Sequence, residues 1–88
     1  HPGLWRPALH IASEEIHWID PLHAMQALTS RRFSVRIRYR QPLQGATLHM
    51  RPEGLYILFD EPQRGITPGQ FAAWYDGDEL VGSGVIEN

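Results

Sequence analysis

The chain has 88 residues, a formal net charge of −2 and no cysteine, and 42% of its residues are hydrophobic. This length and composition are typical of one ordinary globular domain, and the lack of cysteine excludes disulfides, thiolate metal sites and cysteine nucleophiles. The small negative charge also argues against a domain that binds nucleic acid through its overall charge, so any basic surface must be local.

The sequence shows no targeting or membrane segment. No apolar run approaches the roughly 18 residues of a membrane span, and the first residues lack the basic-then-apolar order of a signal peptide. We therefore expect a cytoplasmic protein with no membrane partner, while mitochondrial homologues are also compatible with the sequence. Because the chain begins at His1 without an initiator methionine, we also expect it to be a fragment of a longer protein.

The first third of the chain is the least regular. The runs RPALHIA (6–12) and IHWID (16–20) predict short strands joined by SEE. The stretch that follows predicts one helical turn that begins at Asp20 and Pro21, because proline suits the first position of a helix.

The stretch FSVRIRYRQ (33–41) alternates without interruption, which is the period of a strand with one face in the core. The alternation assigns Phe33, Val35, Ile37 and Tyr39 to the core face, and Ser34, Arg36, Arg38 and Arg40 to the opposite face. Arginines spaced in this way would lie roughly 7 Å apart, a distance that suits successive phosphates of a nucleic acid. A solvated face is the simpler interpretation, since antiparallel sheets commonly face water on one side.

Turn signals separate the remaining predicted strands. The run ATLHMR (46–51) alternates, and LYILFD (55–60) is apolar enough to predict burial on both faces. A long connection (61–70) then contains Pro68 and Gly69, the pair that favours a type II turn. The last strands are QFAAWY (70–75) and LVGSGVIE (80–87), with a hairpin signal at Asp76-Gly77 and with Gly82 and Gly84 marking a bulge or a close backbone approach.

Short strands with turns at roughly eight- to twelve-residue intervals predict an all-β fold. The alternatives are a closed or nearly closed antiparallel barrel of about six strands and a sandwich. We assign the whole chain, 1–88, to one domain, in which residues 1–32 form an irregular N-terminal segment with short strands and residues 33–88 supply the main strands.

The residues by themselves predict no catalytic or metal site. The five histidines lack the spacing of a zinc site, so exposed or hydrogen-bonded histidines are expected. The carboxylates come mainly as neighbours, which point to opposite faces of a strand and cannot converge on one substrate. The glycines of VGSGV (81–85) flank Ser83, but no helix follows, so this run is not a nucleophile elbow.

A family resemblance is carried by RIRYRQP (36–42) and by ILFDEPQRGITPGQFAAWYDGDELVGSGVIE (57–87). Together with the N-terminal HPGLWRPALHIASEEIHWID (1–20), these motifs resemble the C-terminal domain of the tRNA-specific 2-thiouridylases, the MnmA/TrmU family. The resemblance covers nearly the whole chain. It implies a small antiparallel six-stranded β-barrel, similar to the second domain of translation elongation factors, that forms the third domain of a larger enzyme.

The resemblance also implies what the parent enzyme does. It would be an ATP-dependent tRNA-uridine 2-sulfurtransferase that makes 2-thiouridine at the wobble position of tRNA. Its ATP site, with Mg, and its catalytic cysteines would lie outside these 88 residues, so this fragment would contain neither a cofactor nor a catalytic residue. The implied partners are tRNA, the N-terminal and central domains of the parent, and a sulfur-relay donor protein.

The family's tRNA-contacting residues fall by motif on Arg38, Tyr39 and Gln70. To these we add Arg36, Arg40 and Arg64 as electrostatic helpers, because a guanidinium can bind phosphate through two hydrogen bonds. Tyr39 fits least well, since alternation directs it to the core unless a bulge turns it outward. The alternative function is a non-catalytic protein-interaction or domain-docking barrel, with the arginines solvated.

Overall fold

Seven antiparallel strands form one curled sheet in the computed structural model, which describes residues 4–88. The strands are β1 (Trp5–Ala12), β2 (Ile16–Trp18), β3 (Ser30–Arg36), β4 (Gln44–Arg51), β5 (Gly54–Arg64), β6 (Phe71–Asp76) and β7 (Glu79–Val85). The predicted all-β, antiparallel fold is therefore confirmed. His1, Pro2 and Gly3, with which the N-terminal family resemblance begins, lie outside the described residues.

The sheet curls until β1 lies beside the chain segment that follows β7. Its strand order is β1-β5-β4-β3-β6-β7-β2. After β7 the chain continues along β1, where His10 N–H donates to the carbonyl of Asn88 at 2.9 Å and Glu87 N–H donates to the carbonyl of His10 at 2.8 Å. These bonds complete a circuit of six strands, which corresponds to the barrel expected from the sequence.

The strand count is seven rather than the predicted six because β2 is additional to this circuit. It has only three residues, and it pairs with β7 from Gly82 to Gly84, just before β7 reaches β1. A single 3-10 turn, Ser13–Glu15, separates β2 from β1. The N-terminal segment therefore supplies both predicted short strands, joined as expected at SEE.

The predicted helical turn after β2 is also confirmed, as the 3-10 turn Pro21–His23. The Asp20 carboxylate accepts a hydrogen bond from the Leu22 N–H at 2.9 Å. An acidic residue before proline satisfies the free N–H groups at the start of such a turn, which explains why local sequence was sufficient to predict it.

The core consists of the inward-facing residue of each alternating pair. Its fully or almost fully buried side chains are Leu9, Ile11, Phe33, Val35, Ile37, Ala46, Leu48, Leu55, Ile57, Phe59, Ala72, Trp74, Val81 and Ile86. Trp74 is the largest of them, and Trp18 packs edge-on against it with ring centroids 5.5 Å apart. The close backbone approach predicted for Gly82 is confirmed, because a Cβ there would lie 2.6 Å from Nε1 of Trp74.

Strand β5 departs from prediction in two respects. Residues 55–60 are not buried on both faces, since Leu55, Ile57 and Phe59 face the core while Leu58 is 45% exposed. The apolar run is a one-sided antiparallel strand whose outer face meets water. The strand also continues to Arg64, so the first four residues of the predicted connection 61–70 are strand, and β1 pairs with Gln63 and Arg64.

Candidate functional site

Strand β3 ends earlier than the alternation predicted. It stops at Arg36, and residues 37–40 form a bend and a turn in which Gln41 N–H donates to the carbonyl of Arg38 at 3.1 Å. The side-chain oxygen of Gln41 accepts from Ile37 N–H at 2.9 Å, which supplies the partner that a continued strand would have provided. The predicted row of three arginines on one strand face is therefore wrong.

The early end of β3 changes the direction of Tyr39. Alternation assigned its ring to the core, but Tyr39 is 87% exposed because it lies in the turn. Ile37 still reaches the core and is 4% exposed. A turn rather than a bulge thus brings Tyr39 to the surface beside Arg38.

A surface groove of about 400 Å³ lies between this loop and strand β6. We call it the arginine groove; its lining residues are Arg36, Ile37, Arg38, Tyr39, Gln70, Phe71, Ala73 and Tyr75. The structure thus brings together Arg36, Arg38, Tyr39 and Gln70. Arg40 is exposed in the turn and Arg64 ends β5; neither of them lines the groove.

Gln70 reaches the groove from a turn whose geometry follows from its sequence. Gln70 N–H donates to the carbonyl of Thr67 at 3.2 Å, and Gly69 has φ +91°, so the predicted type II turn at Pro68-Gly69 is confirmed. The Gln70 carbonyl accepts from Ile86 N–H at 2.7 Å, and its side-chain oxygen accepts from Thr67 N–H at 3.3 Å. These bonds fix both the backbone and the amide plane of Gln70.

Arg36 lies against an aromatic ring. Its Nη2 donates to the Tyr75 hydroxyl at 2.7 Å, and its guanidinium carbon lies 5.2 Å from the centre of the same ring. Tyr75 reaches this position because β3 pairs with β6 in the register Ser34 to Tyr75 and Arg36 to Ala73. The contact orients the guanidinium without neutralising its charge.

A hydrogen bond to a backbone carbonyl holds the guanidinium of Arg38. Its Nη2 donates to the carbonyl of Arg64, the residue that ends β5. A guanidinium has five N–H donors, so most of the hydrogen-bonding capacity of Arg38 remains for a ligand. Arg64, predicted as an electrostatic helper, thus contributes to the groove through its backbone.

A buried amide supports the loop from below. Gln63 is only 5% exposed, and its side-chain oxygen accepts from Nε2 of Gln41 at 2.7 Å. Nε2 of Gln63 in turn donates to the carbonyl of Glu61 at 3.0 Å. Since Gln41 also holds Ile37 N–H, these contacts connect strand β5 to the loop that presents Arg38 and Tyr39.

The sequence analysis did not identify Phe71, Ala73 and Tyr75 as groove residues. The alternation in QFAAWY could have indicated that these three residues share the outer face of β6, because it places them opposite the buried Ala72 and Trp74. What the sequence could not supply is the pairing of β6 with β3, which brings this outer face beside Arg36.

The charges around the groove are unbalanced. No carboxylate lines it in residues 4–88. By contrast, Arg32 on β3 donates two hydrogen bonds to the Asp60 carboxylate, at 2.6 and 2.7 Å. This hydrogen-bonded pairing lowers the pKa of Asp60 and raises the pKa of Arg32. Arg36 and Arg38 instead contact a phenol and a backbone carbonyl, neither of which carries a compensating charge.

In residues 4–88 no three histidine or carboxylate side chains are grouped closely enough to hold a metal ion. No helix in this part of the chain has the length and apolar character needed to cross a membrane. His10 is hydrogen-bonded, with Nδ1 2.6 Å from the Glu87 carboxylate.

Sequence comparisons identify the relatives of the chain. The chain is 54% identical over 86 residues to the tRNA-specific 2-thiouridylase MnmA of Christiangramia forsetii, and 52% identical over 86 residues to that of Flavobacterium johnsoniae. It is 44% identical over 87 residues to the protein of the same name from Pseudomonas fluorescens. These alignments cover 98 to 99% of the chain and 22% of each relative, so the chain spans about a fifth of their length.

These relatives confirm the resemblance to the tRNA-specific 2-thiouridylases noted from the sequence motifs. A family model described as the aminomethyltransferase beta-barrel domain matches residues 9–86, from the second half of β1 to the residue after β7. The description agrees with the closed antiparallel sheet found here. The chain belongs to the aminomethyltransferase beta-barrel domain family.

Proposed function

We propose that the chain is the tRNA-binding β-barrel of an ATP-dependent tRNA-uridine 2-sulfurtransferase that makes 2-thiouridine at the wobble position. The observation that carries this proposal is the arginine groove. It combines two guanidinium groups, a tyrosine, and an amide on a fixed turn, and no carboxylate of residues 4–88 lines it. Guanidinium groups bind phosphates, while aromatic rings and amides contact bases and sugars.

In this proposal Arg38, Tyr39 and Gln70 contact the tRNA directly. Arg38 is anchored by one hydrogen bond and retains donors for a phosphate. Tyr39 offers an exposed ring, and Gln70 offers an amide whose orientation is set by Thr67. Arg36 assists from within the groove, while Arg40 and Arg64 add positive charge at its margin.

The chemistry of the parent enzyme would take place outside these 88 residues. The proposal assigns ATP binding, with Mg, and the persulfide chemistry to the N-terminal and central domains of the parent, with sulfur delivered by a relay donor protein. The barrel would add binding energy and orientation for the tRNA, and the names of the relatives support this assignment.

A docking role for the barrel is the second candidate. The segment between β2 and β3 carries large apolar side chains that are exposed, namely Ile19 at 51%, Leu22 at 89% and Leu28 at 72%. Exposed apolar residues of this kind suit contact with another domain. They lie on a segment that contributes nothing to the arginine groove, so domain docking and tRNA binding are compatible.

Salt dependence of tRNA affinity separates the two roles. The two arginines of the groove would displace about two counterions, so log K should fall with log salt with a slope of about −1.4 to −1.8. The measurement is fluorescence anisotropy of a labelled tRNA with a wobble uridine, titrated with the chain at several salt concentrations. A chain that shows no affinity for tRNA at low salt would contradict the proposal and leave the docking role.

A further inference from the structure

Two exposed aromatic rings line the arginine groove. Phe71, the first residue of β6, is 67% exposed, and Tyr39 is 87% exposed. Neither ring contributes to the core, because Phe71 lies on the face of β6 opposite the buried Ala72 and Trp74, and Tyr39 lies in the turn after β3. Aromatic side chains placed beside cationic groups are the usual means by which proteins bind unpaired nucleotides.

The dimensions of the groove favour a single nucleotide over a duplex. Its volume of about 400 Å³ falls near the lower end of the roughly 300–1,000 Å³ range of small-ligand sites. In an RNA helix the base faces are covered by their neighbours, so only an unpaired base can stack on a protein ring. Ala73 keeps the wall beside Phe71 small, which leaves room for a base.

The composition of the lining argues for a nucleotide rather than a peptide. A peptide can also bind to aromatic faces, but two guanidinium groups favour a ligand that carries negative charge, and a nucleotide combines a flat apolar base with a phosphate. The groove matches this combination, because Phe71 and Tyr39 offer rings while Arg36 and Arg38 offer charge, and no carboxylate of residues 4–88 lines it.

We propose that the arginine groove binds one unpaired nucleotide of the tRNA, with its base stacked on Phe71 and its phosphate held by Arg36 and Arg38. This inference rests on the proposed tRNA-binding function and adds the form of the ligand and the role of Phe71. Tyr39 covers the second face of the base or that of its neighbour, and Gln70 contacts the base or sugar edge. Phe71 is thus a binding residue that the RYRQ and TPGQ motifs do not reveal.

The test combines variants of Phe71 with tRNAs that each lack a single base. Phe71→Ala and Phe71→Leu both remove the ring, while leucine keeps most of the apolar volume and Phe71→Trp keeps a ring. We expect both ring-deleting variants to raise the Kd for intact tRNA by about 5- to 150-fold, and the tryptophan variant to stay near wild type. Leu58→Ala, an exposed apolar residue on the outer face of β5, is the matched control and should leave the Kd unchanged.

The single-base deletions identify the ligand. We expect one unpaired position at which removal of the base raises the Kd of wild type by about as much as Phe71→Ala raises the Kd for intact tRNA. At that position, removal of the base should not raise the Kd of Phe71→Ala any further. The salt slope should be the same for wild type and Phe71→Ala, because no phosphate contact is lost. The free energy of unfolding, measured by urea denaturation, checks that each variant is folded.

The outcomes are distinguishable. If wild type binds tRNA but Phe71→Ala and Phe71→Leu bind equally well, stacking is refuted and the proposed function stands. If leucine preserves affinity and alanine does not, the contact is apolar rather than aromatic and the stacked nucleotide is again refuted. If every base deletion raises the Kd of Phe71→Ala by the same factor as it raises the Kd of wild type, no single base stacks on Phe71 and the inference is refuted. If wild type does not bind tRNA, both this inference and the proposed function fail.

Discussion

At the scale of single residues, Arg32 and Arg38 show that two exposed arginines of the same region have different tasks. Arg32 is paired with Asp60 by two hydrogen bonds, so its charge is already satisfied within the molecule. Arg38 donates to the backbone carbonyl of Arg64, which orients the guanidinium and leaves its charge for a ligand. The distinction depends on β3, β4 and β5 lying side by side, which the linear pattern of arginines does not reveal.

The Arg32–Asp60 pair makes a testable pH prediction. The hydrogen bonds from Arg32 lower the pKa of Asp60 below its usual value near 3.9. The stabilisation is therefore complete above the unfolded pKa and is lost as the pH falls through the lower folded pKa. In Arg32→Ala, an NMR titration of the Asp60 carboxyl carbon should show its pKa moving up. An unchanged midpoint would show that the pair does not form in solution.

At the scale of elements, the loop 37–41 owes its shape to β5. Gln41 holds Ile37 N–H and is itself held by the buried Gln63. Buried amides of this kind are costly when a partner is lost, so they define one conformation rather than several. The strand beneath the loop therefore fixes the part of the arginine groove that carries Arg38 and Tyr39.

Gln63→Leu tests this support. The substitution removes the partner of the Gln41 amide, so we expect the free energy of unfolding to fall by about 1–3 kcal/mol. The loop should loosen first, which hydrogen exchange monitored by NMR will detect as faster exchange of Ile37 N–H. Amides in the centre of β4 and β5 serve as the internal control. Equal acceleration at all sites would indicate global destabilisation and no specific role in the loop.

Elements fixed by local chemistry were predictable from the sequence. The turn at Pro68-Gly69 and the capped turn at Asp20-Pro21 form as predicted, and the hairpin expected at Asp76-Gly77 is present with its two-residue loop one position later, at residues 77–78. The end of β3 was not predictable, because alternation continues to Tyr39, whereas the Gln41 side chain accepts from Ile37 N–H and is itself held by the distant Gln63. The same limit applies to Phe71 and Tyr75, whose position beside Arg36 follows from strand order.

At the candidate site, the three residues taken from the family motifs, Arg38, Tyr39 and Gln70, line one groove together with Arg36, which was predicted as an electrostatic helper. The extended strand expected from alternation would have carried Tyr39 into the core. The turn resolves this conflict between the motif and the alternation, since it lets Ile37 stay buried while the next two side chains face solvent.

At the scale of the whole molecule, a net charge of −2 coexists with a groove that no acidic side chain of the described residues 4–88 lines. The acidic side chains are placed elsewhere, with Asp60 paired to Arg32, Glu87 beside His10, and Asp76, Asp78 and Glu79 at the β6–β7 hairpin. Such a distribution favours local contacts with a polyanion and repels it from the rest of the surface. Direct pairing of β3 with β6 holds Arg36 beside the outer face of β6, where the groove lies.

The most direct test of the account is the affinity of wobble-uridine tRNA for wild type, Arg38→Ala and Arg32→Ala, measured side by side by fluorescence anisotropy. Each variant removes one exposed arginine, so the change in net charge is identical. The account predicts that Arg38→Ala weakens binding by about 1–3 kcal/mol, the size of a charged hydrogen bond, while Arg32→Ala changes it much less. Equal losses in the two variants would show that only overall charge matters, and no loss in Arg38→Ala would contradict the groove as the tRNA-binding surface.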